Sequence, residues 1–180
     1  TLMIDAFSRR IPALQVSFDP PSYRACMMVM TECVHRYGCL PETVIVDNGR
    51  EFGSVYFEAL LAHFHVIKLS RPSAQPRFGS LIERLFRTSE TQLFHNLRGN
   101  TQIMKQVRQV THSVNPKGQA VWTLGTLHEV LSTWAYDVYE QLEHPALSQS
   151  PKDAFVVGLT QCGLRPHRHI ELDEAFRMLM

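Results

Sequence analysis

The sequence predicts an α/β protein, a mixed sheet flanked by helices, and three observations predict it. Short β-branched runs such as Thr43-Val44-Ile45-Val46 have strand length and strand composition. Longer stretches place apolar residues three and four apart, the spacing of one helical face. After an initial hairpin the two patterns alternate strand, helix, strand, which is the order of a sheet with helices on its faces.

The elements follow in order. Thr1–Ile4 and Ile11–Phe18 read as two strands around a Phe7-Ser8-Arg9-Arg10 turn, with Pro12 placing the second at an edge. Asp19-Pro20-Pro21-Ser22 is a helix-start signal, and Tyr23–Tyr37 continues as a helix ending near Gly38. Its stripe of Met27, Met28, Met30 and Val34 is expected to cover the sheet. Strand 43–46 follows, then a helix over Val55–Phe64 with an apolar face of Tyr56, Phe57, Leu60, Leu61 and Phe64, then a short strand Val66–Leu69. Residues Ser70–Phe78 carry two prolines and no period, so they read as a loop. Past Gly79, Ile82, Leu85, Phe86, Ser89, Leu93, Phe94 and Leu97 fall roughly on one helical face. Asn115-Pro116-Lys117-Gly118 breaks the chain, and Trp122–Leu142 reads as a helix burying Leu127, Leu131, Trp134, Val138 and Leu142. Gly163 onward breaks the helical run, and Leu172–Met180 resumes an apolar pattern. The expected division is a core over 1–115, a helical extension over 116–160 and the start of a small following domain over 161–180.

Chemistry enters with two carboxylates. Asp47 closes the β-branched strand and stands at the mouth of the sheet, where Asn48-Gly49 turns the chain. Glu83 lies in the first turns of the next long helical pattern, with thirty-five residues between the two acids. Acids on two separate rigid elements can converge on divalent metal, because Mg2+ prefers oxygen ligands and takes one or two carboxylates from a protein.

Four motifs surround these acids: Asp5-Ala6-Phe7-Ser8-Arg9-Arg10; Asp47-Asn48-Gly49-Arg50-Glu51-Phe52; Glu83-Arg84-Leu85-Phe86; and His144-Pro145-Ala146-Leu147 running on through Pro151 and Ala154. In this order they resemble the motifs of the retroviral-integrase core family of transposases and integrases, the DDE recombinases, with a bacterial flavour of the Mu and TnsB/TniA kind. The resemblance covers about residues 1–160. It implies a ribonuclease H-like fold and a DNA transposase in which Asp47 and Glu83 are catalytic metal ligands. It further implies two Mg2+ (or Mn2+) ions, 3′-end cleavage and strand transfer on transposon ends and target DNA, a homo-oligomer on DNA, room for an accessory ATPase, and a bacterial cytoplasmic setting. Asn48, Ser73, Gln75, Arg77, Arg84 and Arg87 are the DNA-binding candidates. Each of Ser73, Gln75 and Arg77 reads equally well as part of an ordinary polar connection.

In the family the first acid sits in a strand upstream of the hairpin, so Asp5 is expected to be a turn residue, with metal ligation as its alternative. The chain is then expected to lack the family's first strand, and to be neither stably folded nor active on DNA by itself, because removing a central strand exposes two apolar edges. A ribonuclease H-like nuclease or resolvase and a non-catalytic DNA-binding remnant are the competing readings.

Charge and composition narrow the rest. The net charge is +1, yet residues 71–118 carry eight basic residues against two acidic ones while the remainder is net negative; a basic zone around the second acid suits phosphate. With 44% hydrophobic residues the chain can build one sizeable core, and no apolar run has membrane-spanning length. Cys26, Cys33, Cys39 and Cys162 lack metal or disulfide spacing and read as reduced thiols. His63, His65, His167 and His169 stand beside no zinc-like partners. His144 is the histidine with a functional or a hydrogen-bonding reading.

Overall fold

The computed structural model describes residues 1–72, 80–101, 116–163 and 169–179. Its first element is a hairpin. Met3 N–H donates to Ala13 O, Asp5 N–H to Arg10 O and Gln15 N–H to Thr1 O, each at 2.8 Å, around an antiparallel Leu2–Leu14 bridge. The pairing falls short of the two full strands expected over 1–4 and 11–18. Pro12 brings no N–H to the ladder. Asp5 closes the turn: its Oδ2 accepts the Ser8 N–H at 2.7 Å as well as the Ser8 hydroxyl, and its carbonyl accepts the Arg9 N–H at 2.9 Å. Arg9 takes the left-handed conformation, φ 65°.

Helix α1 spans Tyr23–Tyr37 and stops at Gly38, whose φ of 67° suits glycine and whose N–H donates to Val34 O. It buries Cys26, Met27, Val29, Met30, Cys33 and Val34. Met28 is a correction to the expected stripe: it lies between the inward rows of the helix and is exposed. Strand β1 (Thr43–Val46), a 3₁₀ turn (Arg50–Gly53), helix α2 (Val55–His63) and strand β2 (Ile67–Ser70) form a parallel β-α-β unit in the register Thr43↔Ile67 to Val46↔Ser70. β2 begins one residue later than the sequence predicts. Phe57, Leu60 and Leu61 of α2 face inward, whereas Tyr56, expected on that face, is exposed and stacks on Tyr23 with ring centroids 5.2 Å apart.

Helix α3 (Ser80–Gln92) is followed by a 3₁₀ turn at Phe94–Asn96, then α4 (Pro116–Gln119) and α5 (Leu124–Thr133), capped by Thr123 and Thr126 in a reciprocal box. A π-helical turn over Trp134–Tyr139 continues α5, and α6 (Pro151–Cys162) and α7 (Glu174–Leu179) complete the described elements. Leu85 and Ser89 of α3 and Leu93 just beyond it are buried, but Phe86, one position (100°) around the helix from Leu85, is exposed. The expected buried face of 122–142 is also corrected. A π turn takes up one residue more than an α turn, so the inward positions after Trp134 become Ala135 and Tyr139, and Val138 and Leu142 turn outward.

Two apolar clusters result. One joins Ala13, α1, Leu40, Phe57, Leu60, Leu61, Val66, Ile170 and Phe176, with Met3 and Val44 against it. The other joins Ile11, Leu14, Leu85, Leu93, Trp134, Ala135 and Tyr139, with Leu2 and Ile4 against it. The hairpin contributes to both clusters, with helices packed on either side of it. Residues 170–176 return to the first cluster through an Ile170 N–H to Gly38 O bond and a Phe64–Phe176 ring contact at 5.6 Å.

The hairpin also locks onto the C-terminal helices. Arg10 Nε and Nη2 donate to Glu140 Oε2 at 2.9 and 2.7 Å, and its guanidinium lies 4.8 Å from the Phe155 ring centroid. The Phe7 ring rests on Gly158 so closely that a Cβ there would meet Phe7 Cε1 at 2.6 Å. The two outer motifs of the sequence, the Ser-Arg-Arg hairpin and the His-Pro-Ala-Leu segment with its following helix, thus belong to one interlocked structure.

Candidate functional site

Asp47 stands immediately after β1, at the carboxyl end of the parallel pair, where open α/β sheets place ligands. Its Oδ1 accepts the Gly49 N–H at 2.9 Å, and its Oδ2 lies 3.5 Å from Arg71 Nη2. Arg71 follows β2, so its N–H continues the ladder to Val46 O at 2.8 Å, while its carbonyl accepts Asn48 Nδ2 at 3.3 Å. The carboxyl ends of both strands are therefore tied through Asp47, Asn48 and Arg71. Sequence reasoning counted Arg71 only as one of a basic group. No sequence signal could have found it, because which residue after β2 stands beside Asp47 is set by the register of the parallel pair.

Gly49 corrects a second expectation. Its backbone is ordinary extended chain, φ −61° and ψ 143°, so no special conformation requires glycine. The missing side chain is what matters, because the Glu51 carboxyl carbon sits 2.7 Å from where a Cβ would be. Glu51 thereby joins Asp47 at this corner, and both raise the thiol pKa of Cys26 beneath them. Burial is the larger cause, and the Cys26 thiol is pushed up to about 11. Cys33, more deeply buried, is pushed up to about 12. All four cysteines are free thiols.

Glu83 lies in the first turn of α3 and is exposed, as are Arg84 and Arg87. Arg87 is one turn beyond Glu83 on the same side of the helix. Ser73, Gln75 and Arg77 fall outside the described residues. Among the described residues there is no group of three or more His, Cys, Asp or Glu side chains that could hold a metal. Asp47 and Glu83, as solvent-facing hard oxygen donors, match what Mg2+ accepts from a protein, since that ion keeps water and phosphate for its other positions.

His144 occupies a turn. Its N–H donates to Gln149 O at 3.0 Å, its Nδ1 accepts the Ala146 N–H at 3.2 Å, and Ser148 closes the turn at φ 51°. Burial, then Arg9 and Arg84, hold its pKa below the ordinary histidine value.

The architecture resembles that of an integrase catalytic core. The structure superposes on the crystal structure of the catalytic core domain of BIV integrase with a TM-score of 0.51 and 12% identity, covering 91% of this chain and 88% of that one. By sequence, the family model described as the TnsB C-terminal domain matches residues 1–99, and the chain belongs to that family. No curated protein matches it. No helix among the described residues is long and apolar enough to cross a membrane.

Proposed function

We propose that this chain belongs to the catalytic core of a DNA transposase or integrase whose full protein, supplying the first catalytic acid, performs metal-dependent 3′-end cleavage and strand transfer, the chain by itself being inactive. The observation that carries the reading is the position of Asp47 at the carboxyl end of β1 in an integrase-core fold, with Glu83 opening the helix that follows β2. Asp47 and Glu83 would hold two Mg2+ or Mn2+ ions. Bound there, the metal would supply charge stabilisation and activation of the attacking hydroxyl for in-line displacement at a phosphodiester.

The chain's own groups do the remaining work. Arg71 Nη2 lies 3.5 Å from Asp47 Oδ2 and helps to hold that carboxylate at the strand end. Asn48, tied to the Arg71 carbonyl, holds the strand-end corner in place. Arg84 and Arg87 present guanidinium groups to backbone phosphates beside Glu83; Ser73, Gln75 and Arg77 extend the same contact set. Transposon ends and target DNA are the substrates, and a homo-oligomer assembled on DNA, with an accessory ATPase, is the working form.

The test is joining of labelled transposon-end DNA to a target plasmid by the full protein with Mg2+ or Mn2+. Loss of one stabilising group in a site of this kind costs on the order of 100- to 1,000-fold, so Asp47→Asn and Glu83→Gln should each remove joining by about that factor while DNA binding survives. Joining that persists in both variants sinks the reading. A second reading, a DNA-binding remnant without catalysis, draws on the absence of a three-ligand metal group among the described residues; it predicts binding and no joining by the unsubstituted full protein.

A further inference from the structure

The carboxyl end of α1 brings two cysteines together. Gly38 takes the left-handed conformation at φ 67° and donates its N–H to Val34 O, the bond that closes a helix with a left-handed residue. In such a cap the residue that follows the left-handed one packs back on the last turns of the helix. Here that residue is Cys39, and the one it meets is Cys33. The Cys33 Sγ lies 3.6 Å from the Cys39 carbonyl oxygen, to which it is a weak S–H donor. The Cα that carries the second thiol is one bond beyond that carbonyl carbon. Both cysteines are free thiols, Cys33 buried and Cys39 half-buried.

The cap is held from two sides. Gly38 O accepts the Ile170 N–H at 2.8 Å, and the His169 ring sits so close that a Cβ on Gly38 would meet its Cε1 at 2.9 Å. Beyond Cys39, Leu40 is buried in the first apolar cluster, and Glu42 O accepts the Ile67 N–H at 2.9 Å. Residue 39 is therefore fixed between the end of α1 and the start of β1. Reacting groups held together by a folded backbone meet at a far higher effective concentration than they would on a free chain.

We propose that Cys33 and Cys39 are a modification site, an oxidisable pair that hydrogen peroxide closes into a disulfide across the carboxyl end of α1. Cys39, the more accessible thiol, reacts first. Its thiolate attacks one peroxide oxygen, the O–O bond breaks, and the hydroxide that leaves takes up the thiol proton as water, so that Cys39 becomes a sulfenic acid. The Cys33 thiolate then attacks that sulfur; the S–S bond forms, the S–O bond breaks, and the hydroxide released departs as water with the Cys33 proton. The two thiols lose two electrons and two protons, and one peroxide becomes two waters. Burial holds both thiols above the ordinary cysteine value, so thiolate is scarce at neutral pH and closure is slow. The pair answers sustained oxidation and stays reduced otherwise. Once closed, the bridge fastens α1 to the segment that enters β1, the strand that ends beside Asp47.

The experiment is exposure of the full protein to hydrogen peroxide for hours, alkylation of the remaining thiols, and tryptic mapping by mass spectrometry without reductant. Trypsin cuts after Arg24, Arg36 and Arg50, which puts Cys26 and Cys33 on peptide 25–36 and Cys39 on peptide 37–50. The expected product is these two peptides joined, lighter than their sum by two hydrogen atoms, with tandem fragmentation placing the bond at Cys33 and dithiothreitol separating them. In Cys33→Ser, whose fold circular dichroism checks, the join should be lost and dimedone should trap the sulfenic acid on Cys39. The same treatment in urea should spread the bonds to Cys26 as well, because the cap no longer selects its pair. Separate peptides after treatment of the folded protein overturn the site, as does a bond to Cys26 in place of Cys33. An unchanged ratio of the two bonds in urea overturns it too.

Discussion

Arg10 and Glu140 are separated by 130 residues and make the most buried ion pair among the described residues, with side-chain exposures of 17% and 4%. Glu140 Oε1 is buried and has no hydrogen-bond partner, so the carboxylate depends on Arg10 through its other oxygen. Removing one member of such a pair leaves a buried charge uncompensated, at a cost of about 3–5 kcal/mol. Glu140→Ala should lower the urea-unfolding free energy by that amount, and Glu140→Ala combined with Arg10→Met should recover part of it. A loss in the double variant equal to the sum of the Glu140→Ala and Arg10→Met losses would show that the pair is not coupled. Neither residue could be matched to the other from the sequence, because a buried ion pair has no period and no spacing. Asp5 was different: a short acid before Ser8 in a turn announces its local hydrogen bonds, and these are the bonds it makes.

At the scale of elements, local signals located α1 to the residue. Ser22 precedes it in extended backbone without a side-chain cap bond, and Gly38 ends it through its left-handed backbone. The long helix of 122–142 was located, but its inward face was not. Its spacing pattern assumes 3.6 residues per turn throughout, and the π turn at 134–139 breaks that assumption. The correction has a measurable consequence. Tyr139→Ala should destabilise the fold by about 3–5 kcal/mol, as large-to-small changes of buried aromatic residues do, while Val138→Ala should stay within about 0.5 kcal/mol as a surface change. A larger loss at Val138 than at Tyr139 in thermal or denaturant unfolding would restore the uninterrupted α-helical phase.

Over the whole molecule, the two clusters leave one face of the parallel pair open. Ile45, Ile67 and Leu69 are 58%, 53% and 49% exposed, and the register sets Ile45 beside Leu69 and Ile67 beside Thr43 on a single face. Grouped apolar side chains of this kind promote association. The chain should self-associate with rising concentration in sedimentation velocity, and Ile45→Lys should shift it toward the monomer without loss of helix signal. A monomer at all concentrations before the substitution would count against the patch.

The sequence by itself determined the order of elements, the turn at Asp5, the caps of α1 and the place of Asp47 at a strand end. Those features depend on residues within a few positions of one another, where propensity, periodicity and turn chemistry act directly. It also carried the four motifs whose order points to the integrase core. Only the tertiary structure decided that Arg71 stands beside Asp47, that Gly49 makes room for Glu51, and that Tyr139 rather than Val138 faces inward. These depend on which elements dock and in what register, and docking is set by the summed burial of many side chains far apart in the chain.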